Sequence, residues 1–148
     1  MIVTFAFLHH LAAFTLVACV AVEFILIGQQ LTHASARKLI AVDRVLGIAA
    51  TALLVIGLMR VFYFEKGAAY YFSSHAFMGK FTAFIAAALV SAVPTIEFLK
   101  WRKAVAAGQV PTPDAKKLRI VKAAIHGELL AIVIILACAA IMAKGGWA

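Results

Sequence analysis

Apolar residues occur along this chain in four long blocks rather than in alternating stripes. The blocks cover roughly residues 2–30, 42–64, 76–99 and 118–143. A bilayer needs about 20 consecutive, mainly apolar residues for each helical span, and every block meets that length. The connections between blocks are short except for the last. The pattern therefore predicts an all-α membrane protein, a single domain over 1–148 whose four transmembrane helices form an up-down-up-down bundle.

The ends of the blocks carry signals for where helices begin. The polar stretch 29–38 predicts a turn, with the second helix following Asp43. The sequence Ser-Ser-His at 73–75 predicts a cap for the third helix, because a serine hydroxyl can accept from free backbone N–H groups. Thr112, followed by proline and aspartate, predicts the start of the fourth helix. Pro94 removes one backbone hydrogen bond and predicts a kink in the third helix.

The distribution of basic residues predicts the orientation of the spans. Hydrophobic residues make up 66% of the chain and the formal net charge is +8, but Lys and Arg gather around the first and third connections. Cytoplasmic loops carry such an excess. The pattern therefore places 31–41 and 100–117 in the cytoplasm and both termini outside, in a multi-pass protein of the bacterial inner membrane. The basic charge indicates topology and attraction to anionic lipid, and no nucleic-acid partner is expected.

Ionisable residues interrupt the apolar blocks at two depths. One layer comprises His9, His10, Arg60, His75 and Lys80, and the other comprises Glu23, Arg44, His126 and Glu128. A charge at the centre of a span costs about 2.5–3.5 kcal/mol, so Glu23 and Glu128 are expected to pair with Arg44 or to be protonated. Ionisable residues inside a membrane are functional candidates by default.

The residues themselves leave three chemistries open. Histidine can ligate haem iron while Arg or Lys balances the porphyrin carboxylates. His9, His10 and His75 at one depth can instead bind copper or zinc, and Glu and His chains can relay protons. Two adjacent histidines project about 100° apart, so only one of His9 and His10 points fully into the bundle. His126 and Glu128 lie two residues apart and point in nearly opposite directions, so at most one of them faces a given partner squarely.

Four anchor positions carry a resemblance to known families. They are His10 in FLHHL, Arg44 in DRVLGIAATALL, Lys80 in FMGKFTAF and Glu128 in HGELLAIVIIL. Through them the chain resembles a bacterial family of four-helix predicted membrane proteins and, more distantly, the HemJ-type protoporphyrinogen IX oxidases. Met78 stands where the oxidase pattern has a histidine, and His75 lies about one turn earlier.

The resemblance implies a membrane redox protein that binds haem b or a porphyrin. His10 would ligate the metal, with His75 or Met78 as the second ligand, while Arg60 and Lys80 hold the carboxylates. The catalytic set would be His10, Lys80, Arg44 and Glu128, with Arg44 and Glu128 forming an ion pair. An enzyme of this kind would be an oxidoreductase of the protoporphyrinogen oxidase type that passes electrons to quinone or another membrane carrier.

Two functions from other classes stay open beside the haem hypothesis. One is a small accessory subunit of a larger membrane complex, and the other is a metal or proton transporter. Membrane lipid is the expected partner in each case, and a homo-oligomer is compatible with all three.

Overall fold

The computed structural model describes residues 1–145 as a bundle of α-helices. Helix α1 covers Ile2–Gly28, α2 covers His33–Met59, α3 covers Ala68–Ser73, α4 covers His75–Ala106 and α5 covers Ala115–Ala143. A short π-helical segment, Arg60–Phe64, continues α2 toward α3.

Four of these helices are long and apolar enough to span a membrane. They are α1, α2 together with its π-helical segment, α4 and α5. Each packs against two of the others, because α1 and α4 both contact α2 and α5. Helices that follow one another in the sequence are therefore neighbours in the bundle. This confirms the predicted all-α fold with four spans in an up-down-up-down arrangement.

The second span begins at His33, eleven residues before the start that the sequence pattern predicts after Asp43. The backbone N–H of Thr32 donates to the hydroxyl of Ser35 at 2.8 Å, and the Ser35 N–H donates to the Thr32 hydroxyl at 3.1 Å. This reciprocal pair is a capping box, which satisfies free backbone donors at a helix start. Most of the stretch predicted as a turn is consequently the first part of α2. The predicted start after Asp43 is wrong for that reason.

The third and fourth spans begin at side-chain caps. Ser74 accepts from the Phe77 N–H at 3.3 Å, which confirms the cap predicted for α4. At the start of α5 the cap is Asp114 rather than Thr112, since the Lys117 N–H donates to its carboxylate at 2.8 Å. Helix α4 is continuous through Pro94 and extends beyond the apolar block into its basic tail.

The best-packed core lies in one half of the bundle. We call the end formed by connections 29–32 and 107–114 the basic end, and the end that carries α3 the distal end. The core includes Val20, Ile27, Leu39, Phe98, Trp101, Val121 and Ile125, and it adjoins the basic end. This half therefore holds the helices in a fixed arrangement around any polar group buried within it.

Candidate functional site

Two sets of buried or half-buried polar side chains lie inside the bundle. We call Glu23, Asp43 and Glu128 the carboxyl layer; they come from α1, α2 and α5 near the basic end. We call His9, Arg60, Glu65, Tyr71 and Lys80 the distal cluster.

The carboxyl layer is almost completely shielded by protein. Glu23 is 0% exposed, Glu128 is 3% exposed and Asp43 is 7% exposed. Both Asp43 and Glu128 lie within electrostatic range of Glu23, and Asp43 lies within range of Glu128 as well. Three acids from three different helices therefore share one region of the bundle interior.

The acids of this layer lack basic partners. Within residues 1–145, neither carboxyl oxygen of Glu23 has a hydrogen-bond partner, and the same holds for Oε1 of Glu128. Asp43 is different, because its Oδ1 accepts a hydrogen bond of 2.7 Å from the hydroxyl of Thr95 on α4. The ion pairs found in the described part of the chain join Arg60 to Glu65, Lys100 to Glu97 and Lys117 to Asp114.

Arg44 does not neutralise the carboxyl layer, so the ion pair expected between Arg44 and Glu128 is wrong. The two neighbours Asp43 and Arg44 project about 100° apart on α2. Asp43 faces the interior, and Arg44 is consequently exposed on the outside of the bundle. On α5 the inward residue is Glu128. His126 is exposed, and its Nδ1 donates to the carbonyl oxygen of Lys122 at 2.6 Å.

Sequence reasoning missed Asp43 as a member of the site. It lies at the edge of an apolar block, directly before the predicted start of the second helix. The signal that could have found it is helical spacing, because Leu39, Asp43 and Leu46 recur at the interval of one buried helix face. All three are buried in the structure.

A cleft between α2 and α4 connects the carboxyl layer with the outside of the bundle. Its volume is about 220 Å³, and its polar lining consists of Asp43, Arg44, Thr95 and Arg102. Asp43 thus belongs both to the buried layer and to the wall of the cleft. A small ion or water in the cleft would meet that carboxyl before the more deeply buried Glu23.

The distal cluster surrounds the ring of His9. The backbone of α2 comes close to this ring at Gly57, where an added Cβ would lie 3.3 Å from Cε1 of His9. In the described part of the protein, the buried Nδ1 of His9 has no hydrogen-bond partner. Arg60 and Lys80 are each half-buried and lie within electrostatic range of the ring. Arg60 stands on the π-helical segment, a distortion that often occurs at functional sites.

Glu65 links the second span to α3 through hydrogen bonds at the distal end of the bundle. Arg60 and the hydroxyl of Tyr71 both donate hydrogen bonds to its carboxylate. Partial burial acts to raise the pKa of Glu65, but the hydrogen bonds from Tyr71 and Arg60 and the charge of Arg60 hold that pKa below its usual value. Burial and, next, the hydrogen bond to Glu65 raise the pKa of Tyr71 to about 12. Glu65 is therefore held as a carboxylate at neutral pH.

The structure turns His9 rather than His10 toward the interior. His10 is exposed, and its Nδ1 donates to the carbonyl oxygen of Ala6 at 2.6 Å. The expectation that His10 is the inward histidine is corrected, and the reason is the space that Gly57 leaves for the neighbouring ring. His75 and Met78 are exposed as well. Arg60 and Lys80, in contrast, lie within electrostatic range of the His9 ring.

The expected haem ligands do not form a pocket within the single bundle. His10, His75 and Met78 all have exposed side chains, and across residues 1–145 no hydrogen bond or ring contact joins His10 to His75. In the same residues no three His, Cys, Asp or Glu side chains come together in a group that could hold a metal ion. Haem binding stays a prediction from the sequence.

Comparison with known proteins gives one match. A family model described as Predicted membrane protein (DUF2214) matches residues 2–146. No curated protein and no solved structure matches the chain. The family match supports the predicted likeness to a family of predicted membrane proteins, and none of these comparisons links the chain to the HemJ-type oxidases.

Proposed function

The chain belongs to the family of predicted membrane proteins DUF2214, and from that premise we propose that it is a membrane transporter of protons. Its carboxyl layer would bind protons and release them. The observation that carries this proposal is the fully buried Glu23, whose carboxyl group has two oxygens without a hydrogen-bond partner in residues 1–145.

The energetics of burial favour proton exchange as the role of this layer. An ionised carboxyl group in a low-dielectric interior costs several kcal/mol unless a counter-ion or hydrogen bonds compensate it. Binding a proton removes that cost. Because Asp43 and Glu128 lie within electrostatic range of Glu23, a proton on one acid changes the proton affinity of the others. Intramembrane acids of this kind occur in the proton relays of pumps and transporters.

The position of the layer supports proton entry from the basic end. Glu23 lies five residues before the last residue of α1, which is about 8 Å along the helix axis. The cleft lined by Asp43 opens in the same half of the bundle. A proton would pass from water in the cleft to the Asp43 carboxylate and then to Glu23 or Glu128.

Apolar side chains separate the carboxyl layer from the distal cluster in this conformation. Fourteen residues separate His9 from Glu23 on α1, which corresponds to about 21 Å. Between them Leu16, Val20 and Ile132 belong to one packed apolar cluster. A closed apolar layer between two polar sites favours a carrier that changes conformation over an open, water-filled channel.

Proton flux into liposomes tests this proposal. The purified protein would be reconstituted with a pH-sensitive dye inside, and a potassium diffusion potential would drive protons inward. We expect faster internal acidification than in protein-free liposomes, and Glu23→Gln should abolish most of the difference. Equal rates with and without protein, or an unchanged rate in Glu23→Gln, would contradict the proposal.

Glu97 supplies the matched control for this experiment. It is also a buried acid, but it is compensated, since Trp101 donates to its carboxylate at 3.2 Å and Lys100 lies 3.6 Å away. Glu97→Gln removes the same charge from the same membrane-spanning region. We expect this variant to keep the proton flux of the parent protein.

A further inference from the structure

We propose that the outer surface of α2 and α4 holds one anionic phospholipid, whose phosphate group binds between Arg44 and Arg102. Both arginines line the cleft of about 220 Å³ between these helices. Both proposals use the cleft beside Asp43, but this inference does not depend on the proposed proton chemistry, because Arg44 and Arg102 rather than the carboxyl layer would bind the lipid.

The two guanidinium groups are available for a ligand. Both side chains are exposed, and none of the ion pairs that the structure shows among residues 1–145 involves either of them. Asp43 also lines the cleft, but it is buried and its Oδ1 accepts from Thr95. Two positive groups and one shielded carboxyl group leave the cleft basic. Arginine binds phosphate oxygens through paired N–H groups, which suits this arrangement.

The depth of the cleft matches the position of lipid phosphates. On α4 the apolar stretch 81–99 lies between Lys80 and Lys100, a separation of about 30 Å that equals the hydrocarbon thickness of a bilayer. Arg102 lies two residues beyond Lys100, and Arg44 comes directly before the apolar stretch of α2. The cleft therefore lies at the hydrocarbon boundary of the basic end. Basic pockets between helices at this level are typical lipid head-group sites.

A shallow, open groove, mainly apolar, continues from the cleft along the outer face of α2 and is suited to an acyl chain. All of its lining residues belong to α2: it shares Arg44 and Gly47 with the cleft and then follows Ile48, Thr51, Val55 and Ile56. Twelve residues separate Arg44 from Ile56, which corresponds to about 18 Å along the helix. This length is close to one leaflet of the hydrocarbon core, about half of 30 Å. A phosphate site and an acyl-chain groove thus join end to end on one surface.

The charge of the cleft selects the class of lipid. A zwitterionic head group would bring a second, positive group close to two guanidinium ions, which lowers its affinity. An anionic head group such as that of phosphatidylglycerol or cardiolipin carries no such group. A free phosphate ion could contact the arginines but would leave the apolar groove unused.

Native mass spectrometry of the delipidated protein tests this site. Phosphatidylglycerol, phosphatidylcholine with the same acyl chains, and inorganic phosphate would be titrated separately. We expect phosphatidylglycerol to bind with the highest affinity, and the double variant Arg44→Gln/Arg102→Gln to weaken that binding about tenfold or more. Equal binding of both lipids, tight binding of inorganic phosphate alone, or unchanged binding by the double variant would each overturn the proposal.

Two further variants separate this site from general attraction to anionic lipid. Arg119→Gln removes an exposed arginine on α5 near the same end and should leave the affinity unchanged. Gly47→Leu places a side chain at the junction of cleft and groove, where the described part of the protein has no atom within 4 Å of an added Cβ. This variant keeps every charge and should weaken phosphatidylglycerol binding. If Arg119→Gln weakens binding as much as the double variant, the specific site is excluded.

Discussion

The ring of His9 packs against Gly57, and a methyl group added to that glycine would lie 3.3 Å from Cε1 of the histidine. Helices α1 and α2 therefore approach closely at a point where a polar ring enters the interior. The missing side chain at Gly57 leaves room for the His9 ring, because even an added Cβ would make a tight contact with it.

Replacing Gly57 by leucine tests this contact. Overfilling a packed interior typically costs about 1–3 kcal/mol, and we expect Gly57→Leu to lower the unfolding midpoint in detergent accordingly. Gly47→Leu is the matched control on the same helix, since the described residues leave the space around its Cβ open within 4 Å. Equal midpoints for the two variants would show that α1 and α2 are not in close contact at Gly57.

The hydrogen bond from Thr95 to Asp43 should contribute measurably to stability. Thr95→Val keeps the shape of the side chain and removes the hydroxyl that donates at 2.7 Å. Leaving a buried acceptor unsatisfied costs about 1–3 kcal/mol, and the unfolding midpoint should fall in proportion. Thr51→Val is the control, because the Thr51 hydroxyl bonds the Gly47 carbonyl oxygen of its own helix at 2.8 Å and is exposed. A Thr95→Val protein as stable as Thr51→Val would argue against the contact.

The stabilising effect of Glu65 should depend on pH. Its pKa is lower in the folded protein, where Tyr71 and Arg60 donate to it, than in the unfolded chain, where it is about 4.3. Its contribution is therefore fully present above about pH 4.3 and is lost as the pH falls through the lower folded value. We expect Glu65→Gln to be less stable than the parent at neutral pH, with a difference that disappears in acid.

Thermal unfolding at a series of pH values measures this difference directly. Tyr71→Phe removes one of the two donors and should show a smaller effect of the same sign. Tyr63→Phe is the control at the same end of the bundle, because Tyr63 is 78% exposed. If the unfolding midpoints of Glu65→Gln and the parent differ by the same amount at every pH, the ionised carboxylate is not the cause of that difference.

The basic end should face the cytoplasm. The two cysteines of the parent protein, Cys19 and Cys138, are buried, so a membrane-impermeant maleimide would report on an introduced cysteine. We expect Gln109→Cys to be labelled only after the cells are opened and Lys66→Cys to be labelled in intact cells. The opposite pattern would invert the orientation and would place the lipid cleft in the outer leaflet.

The four spans could be predicted from the sequence because each apolar block is as long as a bilayer is thick. Helical spacing also puts His9 and Glu23 within about 40° of one face of α1, and both present buried polar atoms that lack partners in residues 1–145. The start of α2 did not follow from hydropathy, because the capping box of Thr32 and Ser35 extends the helix through polar residues.

The composition of the carboxyl layer could not be predicted because it depends on how the helices are rotated relative to one another. Arg44 and Asp43 are neighbours in sequence, and only the packing of α2 against α4 decides that the acid faces inward. The choice between His9 and His10 depends likewise on the glycine that α2 brings opposite. Hydropathy gives the depth of each residue, whereas its direction follows from contacts between helices.

The infrared spectrum of the protein in lipid membranes tests the central claim most directly, because protonated and ionised carboxyl groups absorb at different frequencies. We predict a carbonyl band of a protonated acid that titrates with pH, is missing in Glu23→Gln and is retained in Glu97→Gln. Asp43→Asn should shift the pH at which the band titrates, since coupled acids titrate together. A titrating band of unchanged size in Glu23→Gln would contradict the assignment of proton binding to the carboxyl layer.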